Sequence, residues 1–311
     1  MIDFSVVVPT RNRAGHLAGL LEALGGQTFP RERFEVVLVD DCGQDDVERA
    51  VAPYRSVMRI ELVHLTKQAG CAGARQAGVE RARGAYLAFT DDDCAPCSEW
   101  LESLDAARRR WPGLALGGPV VNGRPESLLA EASQHVVNRF TASRGGAGGR
   151  ARYFPTNNLT FPREGFEAIG GLDATWRNSG GEDRDLCRRW CESGREMALT
   201  TGAVVAHRQA MDPRRFWRQH AAYGRGSWLY LRRNGRDRES MGLRLQADLF
   251  LEPFRQWGAL RAAGVVALTA LSQTATTAGF VGEMFRSGMP SATATPWTVG
   301  AKAPGNVEAR P

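Results

Sequence analysis

Apolar residues gather in short runs from the start of the chain. Residues 4–8 form a β-branched apolar run, and residues 14–24 set Leu17, Leu20, Leu21 and Leu24 at helical spacing. The alternation continues with a strand over 34–39, a helix from just after Asp45-Asp46 through Tyr54, and a strand over 59–64. A helix over 72–82 and a strand over 86–90 complete it. Short apolar strands separated by helices predict an α/β, doubly wound, mostly parallel sheet. Such sheets bind ligands beyond the carboxyl ends of their strands.

Past residue 93 the pattern predicts a helix over 98–111, a strand near 114–116 and a less regular stretch over 123–152. Within that stretch Gly145-Gly146-Ala147-Gly148-Gly149 reads as a flexible tip. Residues 153–161 read as extended, 183–191 as a helix, 196–200 and 204–207 as short strands, and 214–233 as a basic helix. Residues 262–282 carry no charge and have the length of a membrane span. Thr269, Ser272, Gln273, Thr274, Thr276 and Thr277 leave that run only weakly apolar, which favours a packed or interfacial helix. From residue 287 onward, small residues and Pro predict a disordered tail.

Composition bounds this picture. A chain of 311 residues, 43% hydrophobic and 24% charged, can bury a sizeable core, and its 35 glycines are scattered rather than periodic. Collagen-like and low-complexity readings therefore fail. The net charge of +6 is local, because nine arginines lie between Arg208 and Arg238 against only Asp212 and Asp237. That block faces either solvent or an anionic partner, such as anionic lipid or a phosphorylated substrate; nothing beyond charge supports nucleic acid. The chain opens directly into an apolar strand with no secretory pattern, so its six cysteines are expected reduced. The expected location is the cytoplasm, at the cytosolic face of a membrane if the basic block docks there.

Three polar clusters fall at successive strand ends, and so on one rim of one sheet: Pro9-Thr10-Arg11-Asn12-Arg13, Asp40-Asp41 and Asp91-Asp92-Asp93. An isolated Asp triplet after a strand reads as an acidic turn. On a shared rim, Asp91 and Asp93 can serve one ligand, one contacting a ribose and the other a hard divalent cation. Glu182-Asp183 either caps a helix and its dipole or supplies a general base. His207 is either structural or a further metal ligand. The small-residue segment from Gln68 to Gly78 permits tight helix–sheet packing, or lets Arg75 reach a nucleotide. Cys94-Ala95-Pro96-Cys97 suggests zinc, but Cys187 and Cys191 have a different spacing on a predicted helix, and no matched knuckle exists.

Taken together these residues resemble the family 2 glycosyltransferases of the GT-A fold, over residues 5–207. The resemblance rests on Val6-Val7-Val8-Pro9-Thr10-Arg11-Asn12-Arg13, Val39-Asp40-Asp41, the 70–78 segment, Phe89-Thr90-Asp91-Asp92-Asp93, Gly170-Gly171-Leu172-Asp173 and Gly181-Glu182-Asp183. It implies that Pro9, Thr10, Arg13, Asp40, Asp41 and Arg75 line a nucleoside pocket. Asp91 and Asp93 would be the D-x-D motif, with Asp91 towards the ribose, Asp93 on the metal and Asp92 lining the donor site. His207 would complete the coordination of Mn²⁺ or Mg²⁺, and Asp183 would be the base of an inverting displacement. The implied donor is a nucleotide-diphosphate sugar; the acceptor would be a glycan, a lipid-linked molecule or a small molecule.

The chain departs from the family pattern at Cys42-Gly43, where Gly-Ser is usual, and at Gln68 and Gln76, where Asn is frequent. The processive-synthase motif Q-x-x-R-W is absent, which points to transfer of a single sugar. The implied organisation is a GT-A domain over 1–235, with a nucleotide-binding half over 1–100 and an acceptor half over 101–235. A helical extension over 236–286, possible at a membrane, and the tail over 287–311 would follow. Two alternatives compete. A sugar-phosphate nucleotidyltransferase would need a basic Gly-rich loop where this chain has Pro9-Thr10-Arg11-Asn12. A non-catalytic membrane-docking nucleotide binder would use the Arg block.

Overall fold

The computed structural model describes residues 2–176, 180–235 and 243–287. The expected tail beyond residue 287, together with Arg236 and Arg238 of the basic block, lies outside the described residues.

The first ninety residues fold as their periodicity predicts. Strands β1 (Phe4–Thr10), β2 (Phe34–Asp40), β3 (Ile60–His64) and β4 (Tyr86–Phe89) alternate with helices α1 (Ala14–Gly25), α2 (Val47–Val51) and α3 (Gly70–Arg81). Every residue of β1 and β2 is buried, as a central strand covered on both faces requires. Phe4, Val6 and Val8 join Leu17, Leu20, Leu21 and Leu24 of α1 on one face. Val7, Val37 and Val39 join Ala74, Ala77 and Val79 of α3 on the other. The small residues of α3 do serve close packing, since a Cβ on Gly78 would sit 2.6 Å from a methyl of Val7.

The second half adds β5 (Cys94–Pro96), α4 (Trp100–Arg110), β6 (Ala115–Gly117), β7 (Val120–Asn122) and α5 (Leu128–Ser143). It continues through β8 (Arg150–Ala151), β9 (Leu159–Pro162), α6 (Arg163–Ala168), α7 (Glu182–Glu192), β10 (Met197–Leu199) and β11 (Val205–His207). The main sheet has the order β3-β2-β1-β4-β9-β6-β10-β8. It is parallel from β3 to β4, with β9 antiparallel to both its neighbours. A second sheet, β5-β11-β7, pairs β11 antiparallel with β5 and parallel with β7.

Two sequence expectations need correction. The stretch over 123–152 is not irregular at its centre; it holds the 16-residue α5, whose Ser127 side chain caps the N-terminus by accepting from the Ala130 amide. Its buried face is Ala130, Ala132, Ser133, Gln134 and His135, too small and too polar to leave an apolar period. The expected extended run over 153–161 is broken by a 3-10 turn over Thr156–Asn158 before β9 begins.

The chain ends in α8 (Pro213–Asn234), α9 (Leu243–Leu251), α10 (Pro253–Gln256) and the 29-residue α11 (Ala259–Ser287). Helix α11 is long and apolar enough to cross a bilayer by length and composition. One face of it is packed: Ala262, Val265, Thr269, Ser272, Ala275 and Gly279 are buried. Close approach of the two helix backbones depends on glycine. A Cβ on Gly279 would lie 2.0 Å from the Ala221 carbonyl oxygen, and one on Gly224 would lie 1.9 Å from that of Thr276. Gly279→Val should therefore force the helices apart and destabilise the fold by about 1–3 kcal/mol, read by urea unfolding.

Candidate active site

The second sheet decides the centre of the site. β4 ends at Phe89, the three aspartates follow, and β5 starts at Cys94. Antiparallel pairing places Cys94 opposite His207, and the Arg208 amide donates to the Asp93 carbonyl at 2.7 Å. His207 Nε2 consequently lies 3.2 Å from Asp93 Oδ1. On its other side, Nδ1–H donates to Gln134 Oε1 at 3.3 Å, so that Nε2 faces the carboxylate, donating to it in the imidazolium and presenting a lone pair in the neutral ring.

Burial works against ionisation of Asp93, but the hydrogen bond and charge of His207, together with Arg13, outweigh it and hold the carboxyl well below its usual range. Burial likewise opposes the imidazolium, and the hydrogen bond to Asp93 reverses the balance and raises His207. Asp93, Cys94 and His207 converge as potential metal ligands. Burial pushes the Cys94 thiol well up, and its soft sulfur is ill-matched to a hard cation. The carboxylate and imidazole that remain fit Mn²⁺ or Mg²⁺, with other positions left to phosphate oxygens and water.

Cations tie down the rest of the triplet. Arg13 pairs with Asp93 and, at 2.9 Å, with Asp92. The Thr10 hydroxyl donates to Asp92 at 2.8 Å. Burial still dominates Asp92 and pushes it up to about 7. The buried Arg75 reaches from α3 to Asp91. Arg215, from the first turn of α8, approaches Asp93 at 3.9 Å.

Glu182 and Asp183 open α7, directly after Gly180 and Gly181, whose φ angles of 104° and 133° suit glycine. Glu182 accepts from the Gly180 amide at 2.7 Å, which closes the turn ahead of the helix. The Tyr153 hydroxyl donates to Asp183 at 3.1 Å. Burial raises both carboxyls, Glu182 to about 7, where the charge of Asp183 adds to the effect; Arg75 and the Tyr153 hydrogen bond partly offset the shift at Asp183.

One cavity of about 1420 Å³ unites these groups, with Arg13, Arg75, Asp91, Asp93, Asp183 and His207 on its walls. Other sequence candidates lie behind that wall. Thr10 and Asp92 back it through their mutual hydrogen bond, and Pro9 is held inside β1 opposite Val39. Asp41 accepts from the Ala69 and Gly70 amides at 2.6 and 2.9 Å and so anchors the start of α3. Asp40 accepts from the Gly43 amide at 2.9 Å and lies 3.1 Å from His64 Nδ1. Sequence reasoning missed Gln134, Tyr153, Arg215 and Arg218, which also line the cavity. Gln134 sits on the unpredicted α5, and no motif marks Tyr153; the two arginines were visible only as part of a basic block.

The family model for glycosyl transferase family 2 matches residues 5–170. The pre-mycofactocin glycosyltransferase of Mycobacterium tuberculosis is 30% identical over 238 residues, which cover 71% of this chain and 46% of that protein. The poly(ribitol-phosphate) beta-N-acetylglucosaminyltransferase of Staphylococcus aureus is 33% identical over 142 residues, covering 44% of this chain and 25% of the relative. The chain thus spans under half the length of these curated relatives. A mannosyltransferase from Pyrobaculum calidifontis, solved with GDP-Man and Mn²⁺, superimposes with a TM-score of 0.63 at 20% identity, covering 91% of this chain and 87% of that one.

The raised Glu182 carboxyl has a stability consequence of definite sign. A carboxyl whose pKa is higher in the folded state contributes stability that is complete below its ordinary value of 4.5 and is lost as pH rises through about 7. The stability of the native protein relative to Glu182→Gln should therefore fall between those two pH values, measured by urea unfolding at each.

Proposed function

The chain belongs to glycosyl transferase family 2 and has the GT-A fold, and on that footing we propose that it transfers a single sugar, with inversion, from a nucleotide-sugar donor to an acceptor hydroxyl with the help of a divalent cation. The observation that carries this reading is the opening of the Asp93–His207 pair and the Asp183–Tyr153 pair onto one cavity. In the proposed arrangement Asp93 and His207 hold Mn²⁺ or Mg²⁺, and Gln134 keeps the imidazole oriented. The cation, when bound, would neutralise charge developing on the departing nucleoside diphosphate. Arg215 and Arg218 reach the cavity and supply positive charge for the same phosphates. Asp91, fixed by Arg75, faces the ribose, and the β1 and β2 ends with Pro9, Thr10, Asp40 and Asp41 shape the nucleoside pocket.

Asp183 is the proposed base. Its oxygen takes the acceptor hydroxyl proton as the acceptor oxygen bonds to the anomeric carbon and the bond from that carbon to the diphosphate oxygen breaks. The Tyr153 hydroxyl donates to Asp183 Oδ2, holding the carboxylate in one orientation. With a nucleotide sugar identified by thermal shift in the presence of Mn²⁺, Asp183→Asn should lower transfer about 10²–10⁴-fold while nucleotide binding persists. Asp93→Ala should abolish metal-dependent donor turnover. Full transfer by both variants would refute the assignment.

We also propose that the C-terminal helices rest on an anionic membrane surface. Leu251, Phe254 and Leu260 follow one another through the α9–α10–α11 corner at 56%, 54% and 91% exposure, and Phe285 is 80% exposed near the far end of α11. Arg255 and Arg286 are exposed beside these ends, paired with Glu252 and Glu283 at 3.3 and 3.0 Å, and an anionic headgroup would compete with those carboxylates for them. Leu260→Glu with Phe285→Glu should reduce co-sedimentation with phosphatidylglycerol vesicles at least about tenfold, each apolar group lost from the interface weakening binding. Unchanged co-sedimentation would exclude this face as the contact.

A further inference from the structure

The cavity does not stop at the aspartates; it continues between α5, α8, α9 and α11. We infer that this inner chamber takes the acceptor, and that the acceptor is an uncharged molecule carrying hydroxyl groups on an apolar body. The assignment rests on the transfer reading above and adds to it the chemical class of the second substrate.

The first observation is an unsatisfied side chain. His220 on α8 lines the cavity and is fully buried, yet neither ring nitrogen has a hydrogen-bond partner among the described residues. Its ring is held between Phe216 and Tyr223, with centroids 4.4 and 5.5 Å away. Burial alone lowers it to about 4, so at neutral pH it is an uncharged imidazole with one donor and one acceptor nitrogen. Buried polar groups of this kind are expensive to leave unmade and are rare without a ligand or water. A hydroxyl, which both donates and accepts, can satisfy either nitrogen.

The second observation is how charge is distributed along α8. Arg215 and Arg218 are its charged cavity residues, and they sit in its first two turns, Arg215 approaching Asp93. From His220 onward its cavity residues, through Tyr223 and Ser227 to Leu231, are neutral. The opposite wall is neutral as well: Leu245 and Leu249 from α9, and Gln273, Thr276 and Phe280 from α11. Two further cations border the chamber, and both lie over aromatic rings. The Arg184 guanidinium is 4.2 Å from the Tyr230 centroid, and that of Arg144 is 5.1 Å from the Phe140 centroid. One helix thus offers cations to a diphosphate at its start and a neutral, part-apolar lining further along. A charged acceptor body seated among those neutral residues would be desolvated with charged groups only at the chamber's borders, where both cations are already engaged by rings.

The test uses the full chain labelled with ¹³C and ¹⁵N at histidine, followed by imidazole NMR, with His220→Phe assigning the His220 signals. Three probes are titrated: hexyl β-glucoside, methyl β-glucoside, which lacks the apolar body, and hexyl phosphate, which is anionic. Hexyl β-glucoside should shift the His220 signals and bind at least about tenfold more tightly than either other probe. His220→Phe should weaken it about tenfold, the scale of a lost buried hydrogen bond. Thr277→Trp, at an exposed position on the chamber wall, should weaken it similarly while the His220 signals remain. Equal or tighter binding of hexyl phosphate, or His220 signals unmoved by all three probes, overturns the inference. A parallel titration with UDP or GDP and Mn²⁺ separates the two readings. Nucleotide binding without hexyl β-glucoside binding sinks the chamber assignment alone; the converse result sinks the donor-site proposal and leaves the chamber a ligand site.

Discussion

Three consecutive carboxylates cannot be folded against a sheet unless cations are brought to meet them, and that electrostatic requirement organises the molecule. Asp92 and Asp93 are almost fully buried at the end of β4. Each would be driven towards protonation if left alone, because moving a charge out of water costs several kcal/mol even after relaxation. The chain answers from four directions: Arg13 after β1, Arg75 on α3, His207 at the end of β11 and Arg215 on α8. The balance differs from one aspartate to the next. Asp93 receives enough positive charge to stay ionised, whereas Asp92, next to it, remains dominated by burial and is raised to about 7.

The same logic separates the two members of the second carboxylate pair. Glu182 spends a carboxylate oxygen on the Gly180 amide and secures the turn into α7. Asp183 faces the cavity and is held by the Tyr153 hydroxyl. The two adjacent carboxylates thus have different surroundings, one turned back on the Gly180–Gly181 turn and the other open to the cavity. The basic block divides similarly. Arg215 and Arg218 turn into the cavity, while Arg233 pairs with Asp173 and lies 4.3 Å over the Trp176 ring. Helix α8 is therefore neither a purely solvated Arg face nor a uniform anion surface. Its Phe216 and His220 are buried, and α11 closes over it where Gly224 and Gly279 let the backbones meet.

The legibility of these features follows the range of the interactions behind them. The alternation of β1 to β4 with α1 to α3 was readable because strand and helix periods are written in consecutive residues. The rim position of Pro9-Thr10, Asp40-Asp41 and Asp91-Asp92-Asp93 followed from parallel topology. Helix α5 was not readable, since its buried face is built from alanine, serine, glutamine and histidine packed under other helices. The three-residue strands β5 and β7 are too short to show a period, although their pairing with β11, the strand expected over 204–207, sets the centre of the site.

By itself the sequence determined the layered α/β architecture, the rim that carries the polar clusters and the family resemblance, because each is encoded in local pattern. Tertiary structure alone decided that His207 meets Asp93, that Gln134 orients His207, that Tyr153 holds Asp183, and that Asp41 anchors α3. It also decided that a neutral chamber walled by α9 and α11 continues the cavity. Such contacts join residues far apart in the chain through sheet register and helix packing, and a single sequence carries no periodic trace of either.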